Sequence, residues 1–296
     1  MTYIVTSEYV LNQVAAPRLP AATPQYDPNY INQLNNVLRL YFNQLDNILG
    51  QMKVSTDGTV KIDGTGIQFP NGAFYQDGYT TLTASMTNTS TADIQVASTS
   101  GFISAGGLLI GSELISYTGK TSTAFTGITR GVYGSTKASH AVGDTVSEAQ
   151  TLASSTVSQP LTLLQTTVSN GVSIDATDKT KVVHSIAGIY NIQFSIQMLT
   201  FDSTIDNVTI WFRQNGVDIP YSAGIATVPA IHGGKPGTAI ISWNLVLPLN
   251  AGDYIQLLFA SDTGNTVAAT YPPGTAPVHP ASPSIIVTST FVSALY

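Results

Sequence analysis

The clearest pattern in the chain is a heptad ladder of apolar residues near its N-terminus. Seven of them recur at alternating spacings of three and four: Ile31, Leu34, Leu38, Tyr41, Leu45, Ile48 and Met52. This spacing places one apolar stripe along an α-helix and is typical of a seam between associated helices. Asp27 followed by Pro28 is a helix-start signal. We therefore predict a helix over residues 27–52, which either trimerises, packs on its own chain or packs on a neighbouring protein.

From residue 53 onward the pattern changes to short alternating strands, so the predicted fold class is mainly β. Four Asp-Gly or Asn-Gly turn signals predict a β connector over residues 53–78. Six short runs separated by glycine-rich turns predict a small barrel or sandwich over 79–148. Longer strands follow a polar linker at 149–158 and predict a β-sandwich over 159–296. Residues 1–26 contain three prolines and predict an extended docking arm.

The composition narrows the classes of partner. Only 9% of the 296 residues are charged, against an average of about 25%. A surface made of hydroxyl and amide side chains is common in extracellular and virion proteins. The net charge of −6 argues against a nucleic-acid partner. No apolar run approaches the roughly 18 residues of a membrane span, so no membrane partner is expected either.

The absence of cysteine excludes disulfide frameworks, thiolate nucleophiles and cysteine-based zinc sites together. The first residues, Met1-Thr-Tyr-Ile-Val, lack the basic start and apolar segment of a secretory signal. We therefore expect synthesis in a host cytoplasm followed by release through lysis, as virions are released.

The last predicted domain resembles the C1q/tumour-necrosis-factor jelly roll. The matching stretches are Gly188-Ile-Tyr-Asn-Ile-Gln-Phe-Ser195, Val208-Thr-Ile-Trp-Phe-Arg-Gln-Asn-Gly216, Leu249-Asn-Ala-Gly-Asp-Tyr-Ile-Gln-Leu257 and Ser289-Thr-Phe-Val-Ser-Ala-Leu-Tyr296. They correspond in order to a core strand, a strand ending in Asn-Gly, a Gly-Asp turn and a closing strand. The resemblance covers nearly half of the chain and implies a compact trimer. It implies no particular ligand, because this fold serves many recognition roles.

A second resemblance concerns the middle of the chain. The stretches Leu109-Ile-Gly-Ser-Glu-Leu-Ile-Ser-Tyr-Thr-Gly119 and Gly127-Ile-Thr-Arg-Gly-Val-Tyr-Gly134 resemble a small β module that recurs in virion proteins of tailed phages. The segment from Tyr30 to Met52 is similar to helices that open phage structural proteins. Together these resemblances imply a virion structural protein.

No motif predicts catalysis, a metal or a cofactor. Gly119-Lys120-Thr121 resembles the end of a phosphate-binding loop, but Leu114 occupies the position of the required upstream glycine. A polar turn is the better interpretation. Four aspartates lack the spacing of a calcium loop, namely Asp202, Asp206, Asp253 and Asp262. Trp211 and Trp243 fall in alternating strands, where we predict core positions rather than a carbohydrate platform.

Two proline-containing loops are the predicted recognition surface, because proline pre-orders their backbone. Their candidate residues are Pro229, His232, Lys235, Tyr271, Pro273 and His279. The two histidines could share a metal or ligand if the loops meet, although single loop histidines more often bond to backbone. The loops could equally contact other subunits of a trimer.

The expected function is therefore structural. We expect a homotrimer on the phage particle, attached through residues 1–52 to the major capsid protein or a tail protein. A capsid decoration or cement protein is favoured. The alternatives are a short tail fibre whose head binds a host surface glycan or protein and, less favoured, a glycan-active tail enzyme.

Overall fold

The computed structural model describes residues 34–43, 69–275 and 277–294, together with the backbone of three short strands between residues 53 and 67. The predicted arm and the seam residues Ile31, Leu45, Ile48 and Met52 lie outside the described residues. Contacts divide the chain into two compact units, one formed by Met1–Phe69 with Tyr296 and the other by Pro70–Leu295.

The N-terminal unit contains a helix and a small sheet. The helix α1 covers residues 34–43, which confirms the helical prediction over that range. Its seam residues Leu34, Leu38 and Tyr41 are half-buried, whereas Leu40 and Phe42 are exposed. The three strands pair antiparallel in chain order: β1 (Lys53–Val54), β2 (Val60–Ile62) and β3 (Thr65–Ile67).

The C-terminal unit is built mainly from two antiparallel sheets. The larger sheet has eleven strands: β4 (Asn71–Gln76), β5 (Tyr79–Thr81), β7 (Gly106–Ile110), β8 (Glu113–Tyr117), β11 (Thr129–Arg130), β12 (Thr145–Gln150), β14 (Gln165–Asn170), β17 (Gly188–Thr200), β21 (Gly237–Leu249), β23 (Val267–Ala269) and β26 (Ile285–Ser293). The second sheet has seven strands: β13 (Gln159–Pro160), β15 (Val172–Ile174), β16 (Val182–His184), β18 (Asp206–Gln214), β19 (Val217–Asp218), β20 (Gly224–Val228) and β22 (Tyr254–Ser261). Smaller sheets are formed by β6 (Ile94–Gln95) with β9 (Gly119–Lys120) and β10 (Ala124–Thr126), and by β24 (Gly274–Thr275) with β25 (Val278–His279).

The strand pairing of the main body is nested. The first strand, β4, pairs with the last, β26; β16 pairs with β22; β17 pairs with β21; and β18 pairs with β20. Alternate residues of β17 and β18 point inward, as the period of two in their sequences requires. They join one hydrophobic cluster, in which the rings of Phe194 and Phe212 lie 5.5 Å apart across the two sheets.

An inserted module separates β4 from β14. It has its own apolar core, which includes Leu82, Ile94, Phe102 and Phe125. Strand β12 joins it to the main body, because β12 pairs with β7 of the module on one side and with β23 on the other. A third cluster, containing Leu114 and Phe201, packs at the junction. The module therefore continues the large sheet.

Two segments predicted as connections between domains contribute strands to the large sheet. Part of the segment predicted as a connector, 53–78, forms β4, which lies between β26 and β14 in the large sheet. The segment predicted as a linker, 149–158, begins with the last two residues of β12, and its Leu152 is only 2% exposed.

Candidate functional site

One edge of the main body leaves its hydrophobic core open. Strand β21 pairs only with β17, and β20 pairs only with β18, so both are edge strands among the described residues. The inward-facing Trp243 and Leu245 of β21 and Ala226 of β20 pack on the core but remain half-exposed. A closed core would cover such side chains. Their exposure makes this edge a candidate surface for contact with another protein chain.

Trp243 bridges the gap between the two edge strands. Its ring lies 4.5 Å from the ring of Phe194 in the core. It also lies over Gly224 of β20, where a Cβ atom would come within 2.7 Å of the indole. A larger residue at 224 would displace the indole. Glycine at this position therefore lets the Trp243 ring lie between the two sheets.

On their opposite, outward face the same two strands carry further exposed apolar side chains. Ile225 of β20 is 75% exposed, Ile240 of β21 is 68% exposed, and Val246 of β21 is 53% exposed. Neither strand contains a charged residue. Monomeric proteins usually protect a long edge strand with charge, and β21 has thirteen residues without any. We call the apolar side chains that these two edge strands leave exposed or half-exposed on their two faces the apolar edge: Ile225, Ile240, Trp243, Leu245 and Val246.

The two predicted recognition loops lie largely at the surface. In the first, between β20 and β21, Pro229, His232 and Lys235 are exposed, and His232 pairs with Lys235 through backbone hydrogen bonds. In the second, Pro273 and His279 are exposed, and His279 Nδ1 lies 2.8 Å from the carbonyl oxygen of Pro280.

The bases of these loops approach each other. Ile231 and the half-buried Tyr271 pack against the same junction cluster. Pro236 and Tyr271 also line one shallow pocket of ≈ 420 Å³. Nowhere in the described ranges do three His, Cys, Asp or Glu side chains group closely enough to hold a metal ion.

A buried ion cluster holds the inserted module together. Arg130 donates from Nε to Glu113 Oε1 and from Nη2 to Glu113 Oε2, each at 2.6 Å. His140 Nε2 lies 2.8 Å from Glu113 Oε2, and Arg130 also donates to the carbonyl of Ala138. Burial acts to raise the pKa of Glu113, but hydrogen bonds from Arg130, Ala138 and His140 hold the pKa below its ordinary value. The cluster is thus an ion pair surrounded by hydrogen bonds.

A second acidic side chain is buried where β12 meets the main body. Glu148 is fully buried and accepts a hydrogen bond from the side-chain amide of Gln76 in β4. Burial raises the pKa of the Glu148 carboxyl to about 8, against the opposing influence of Gln76, Ile103 and Lys120. Neither Glu113 nor Glu148 belongs to a recognisable sequence motif. Their signal was a Glu inside a strand-forming apolar stretch of a chain with few charges.

The structure places several other candidates in supporting roles. Lys120, from the phosphate-loop-like stretch, lies in β9 and donates to the carbonyls of Thr99 and Phe102. Asp206 accepts hydrogen bonds from Thr200 and Thr266.

The core prediction for Trp211 is wrong. Its neighbours in β18 point inward, so Trp211 points outward, where its Nε1 donates to Asp218.

No protein-family model matches this chain, and no curated protein matches it in sequence. Within the part of the chain that the structure describes, no helix is long and apolar enough to cross a membrane.

Proposed function

We propose that this chain is a non-enzymatic structural protein of a tailed-phage virion that assembles as a homotrimer. The observation that carries the assembly step is the apolar edge, an uncharged strip beside a half-open core. A β-rich chain in which only 9% of the residues are charged suits a particle exposed to changing ionic conditions. The physical task is association, and three copies on one support would gain avidity for a common partner.

The proposed fold of the main body is a jelly-roll sandwich of the C1q/tumour-necrosis-factor type. The nested pairing supports this fold. A jelly roll forms when one long antiparallel hairpin folds over into two sheets, and such a hairpin pairs its first strand with its last and its innermost strands with each other. The inserted module would then be an addition between β4 and β14. The trimeric state follows from this likeness and from the heptad stripe of the helix.

Within the virion, the favoured placement is on the capsid as a decoration or cement protein, with residues 1–52 docking on the major capsid protein. The second candidate is a short tail fibre with a host-binding head. The exposed loops around His232 and His279 favour this candidate, since exposed loops on a rigid scaffold commonly carry recognition.

The copy number in purified particles separates the two placements. We expect quantitative mass spectrometry to give a ratio to the major capsid protein between one to one and one to a few. A ratio below a few per cent would move the protein to the tail. Absence of the chain from purified particles would refute the virion assignment altogether.

Charge placed on the apolar edge should prevent assembly. We expect the double variant Ile240→Glu/Val246→Glu to elute as a monomer while the unchanged protein elutes as a trimer, because burying two carboxylates in an interface costs several kcal/mol each. Light scattering coupled to size-exclusion chromatography measures this. Val142→Glu is the matched control, since Val142 of the inserted module is 63% exposed. A trimeric double variant, or a monomeric unchanged protein, would contradict the proposed interface.

A further inference from the structure

A cleft of the C-terminal unit lies between the inserted module and the main body. It has a volume of ≈ 820 Å³, within the roughly 300–1,000 Å³ typical of small-molecule sites. One wall comes from the module, including Ser104 and Tyr133. The other wall comes from the main body, including Thr151, Gln159 and Lys179. Sites of this kind often form where two structural parts meet.

The walls of the cleft carry many unused polar groups. The hydroxyls of Ser104, Ser116 and Thr151 make no hydrogen bond to any residue that the structure describes. Gln159 makes only a long bond of 3.4 Å from Nε2 to a neighbouring carbonyl. Such groups both donate and accept, so they suit a ligand that itself carries many hydroxyls.

Tyr133 supplies an aromatic surface in the same cleft. The residue is half-buried, and its hydroxyl lies 3.5 Å from the carbonyl oxygen of Leu152 on the opposite wall. Its backbone has a φ of 55°, a left-handed conformation that is unfavourable for a bulky side chain. Glycine would adopt this φ without strain, and glycines stand nearby at 131 and 134. Tyr133 thus lines the cleft while it also packs against the junction cluster, which holds its ring in place.

The charges of the cleft are few. Lys120 is partly committed to the carbonyls of Thr99 and Phe102, and Lys179 donates to the carbonyl of Asp175. Asp178 lies beside Lys179 on the same wall. With ammonium and carboxylate groups together, the cleft favours neither a highly charged anion nor a polycation.

We propose that this cleft binds an oligosaccharide of low charge. Sugar hydroxyls would exchange hydrogen bonds with Ser104, Thr151 and Gln159, and the C–H face of a sugar ring would stack on Tyr133. The volume of the cleft, ≈ 820 Å³, leaves room for more than one sugar ring. This binding is separate from the apolar edge and from the loops around His232 and His279, and it does not depend on trimer formation.

Saturation-transfer NMR on the full chain tests the proposal. The probes are maltotriose, cellotriose, chitotriose and sialyllactose. We expect at least one of them to bind, and Tyr133→Gly to weaken that binding at least tenfold. This substitution removes the ring and suits the left-handed backbone. Tyr221→Gly is the matched control, because Tyr221 also has a positive φ, of 63°, but is fully exposed outside the cleft.

A second variant guards against a general effect on folding. Ser104→Trp places a large ring on an exposed loop of the cleft wall and should block the same probe. Unfolding curves of all three variants establish that each is folded. The proposal is overturned if none of the four probes binds, if Tyr133→Gly and Ser104→Trp bind as the unchanged protein does, or if Tyr221→Gly loses binding equally. Chromatography of the same samples reports trimer formation separately.

Discussion

Replacing Glu148 by glutamine should make the protein progressively more stable, relative to the unchanged chain, as the pH rises from 4 to 8. The pKa of Glu148 is about 8 in the folded protein, against 4.5 for an ordinary glutamate. Below pH 4.5 the carboxyl is neutral in both states, so its burial carries little penalty. Between pH 4.5 and 8 the unfolded chain releases this proton while the folded chain retains it. Each pH unit in that window therefore costs the folded state about 1.4 kcal/mol.

The amide of Glu148→Gln does not ionise, so this loss disappears in the variant. We expect the difference in unfolding free energy between the two proteins to widen by on the order of 4 kcal/mol from pH 4 to pH 8, and to remain constant above that. Urea unfolding at pH 4, 6 and 8 measures it. Asp93→Asn, at an exposed carboxyl of the inserted module, should change stability by less than roughly 0.5 kcal/mol at each pH. Parallel pH profiles for Glu148→Gln and the unchanged protein would show that Glu148 is ionised in the fold.

Replacing Arg130 by methionine should destabilise the inserted module by roughly 3–5 kcal/mol. The side chains of Arg130 and Glu113 are 2% and 0% exposed. Methionine fills a similar volume but leaves the Glu113 carboxylate buried without its cation, and desolvating an unpaired charge is the costly part. The carbonyls of Thr87 and Ala138 also lose their donor. Chemical unfolding would measure the loss of stability. Hydrogen exchange of the module's amides would show where in the chain the loss occurs.

The matched control for this prediction is Arg213→Met. Arg213 donates from Nε to Asp218 at 2.7 Å, a single bond where Arg130 makes two to Glu113. The Arg213 pair, however, is 27% and 56% exposed, so solvent already screens it. We expect a loss below about 1 kcal/mol. Equal losses for the two arginine variants would mean that the Arg130–Glu113 pair contributes no more than a surface ion pair.

The sequence predicts a secondary-structure element well where the pattern of apolar residues arises within that element alone. Alternation predicts long strands after residue 159, and the structure places β17, β18 and β21 there. A period of two arises locally, from side chains that alternate between a buried and an exposed face. The helix was likewise predictable over residues 34–43 from its apolar spacing.

The candidate site was less predictable, because it depends on which strands lie at an edge. Trp243 looks like an ordinary core residue in the sequence. Only the pairing of β20 and β21 with single neighbours leaves it half-exposed. For Trp211 the strand was predicted correctly, but the buried face was not. An offset of one residue decides which face of a strand is buried.

By itself the sequence determined a mainly β chain with a short helix, no cysteine chemistry and a surface with little charge, since these follow from composition and local periodicity. The tertiary structure decided what required distant segments to meet. It inserted the module between β4 and β14, buried Glu148 beside Gln76, paired Glu113 with Arg130 and formed the cleft around Tyr133. The physical reason is that burial and strand pairing join residues far apart in the chain, and no local pattern records their partners.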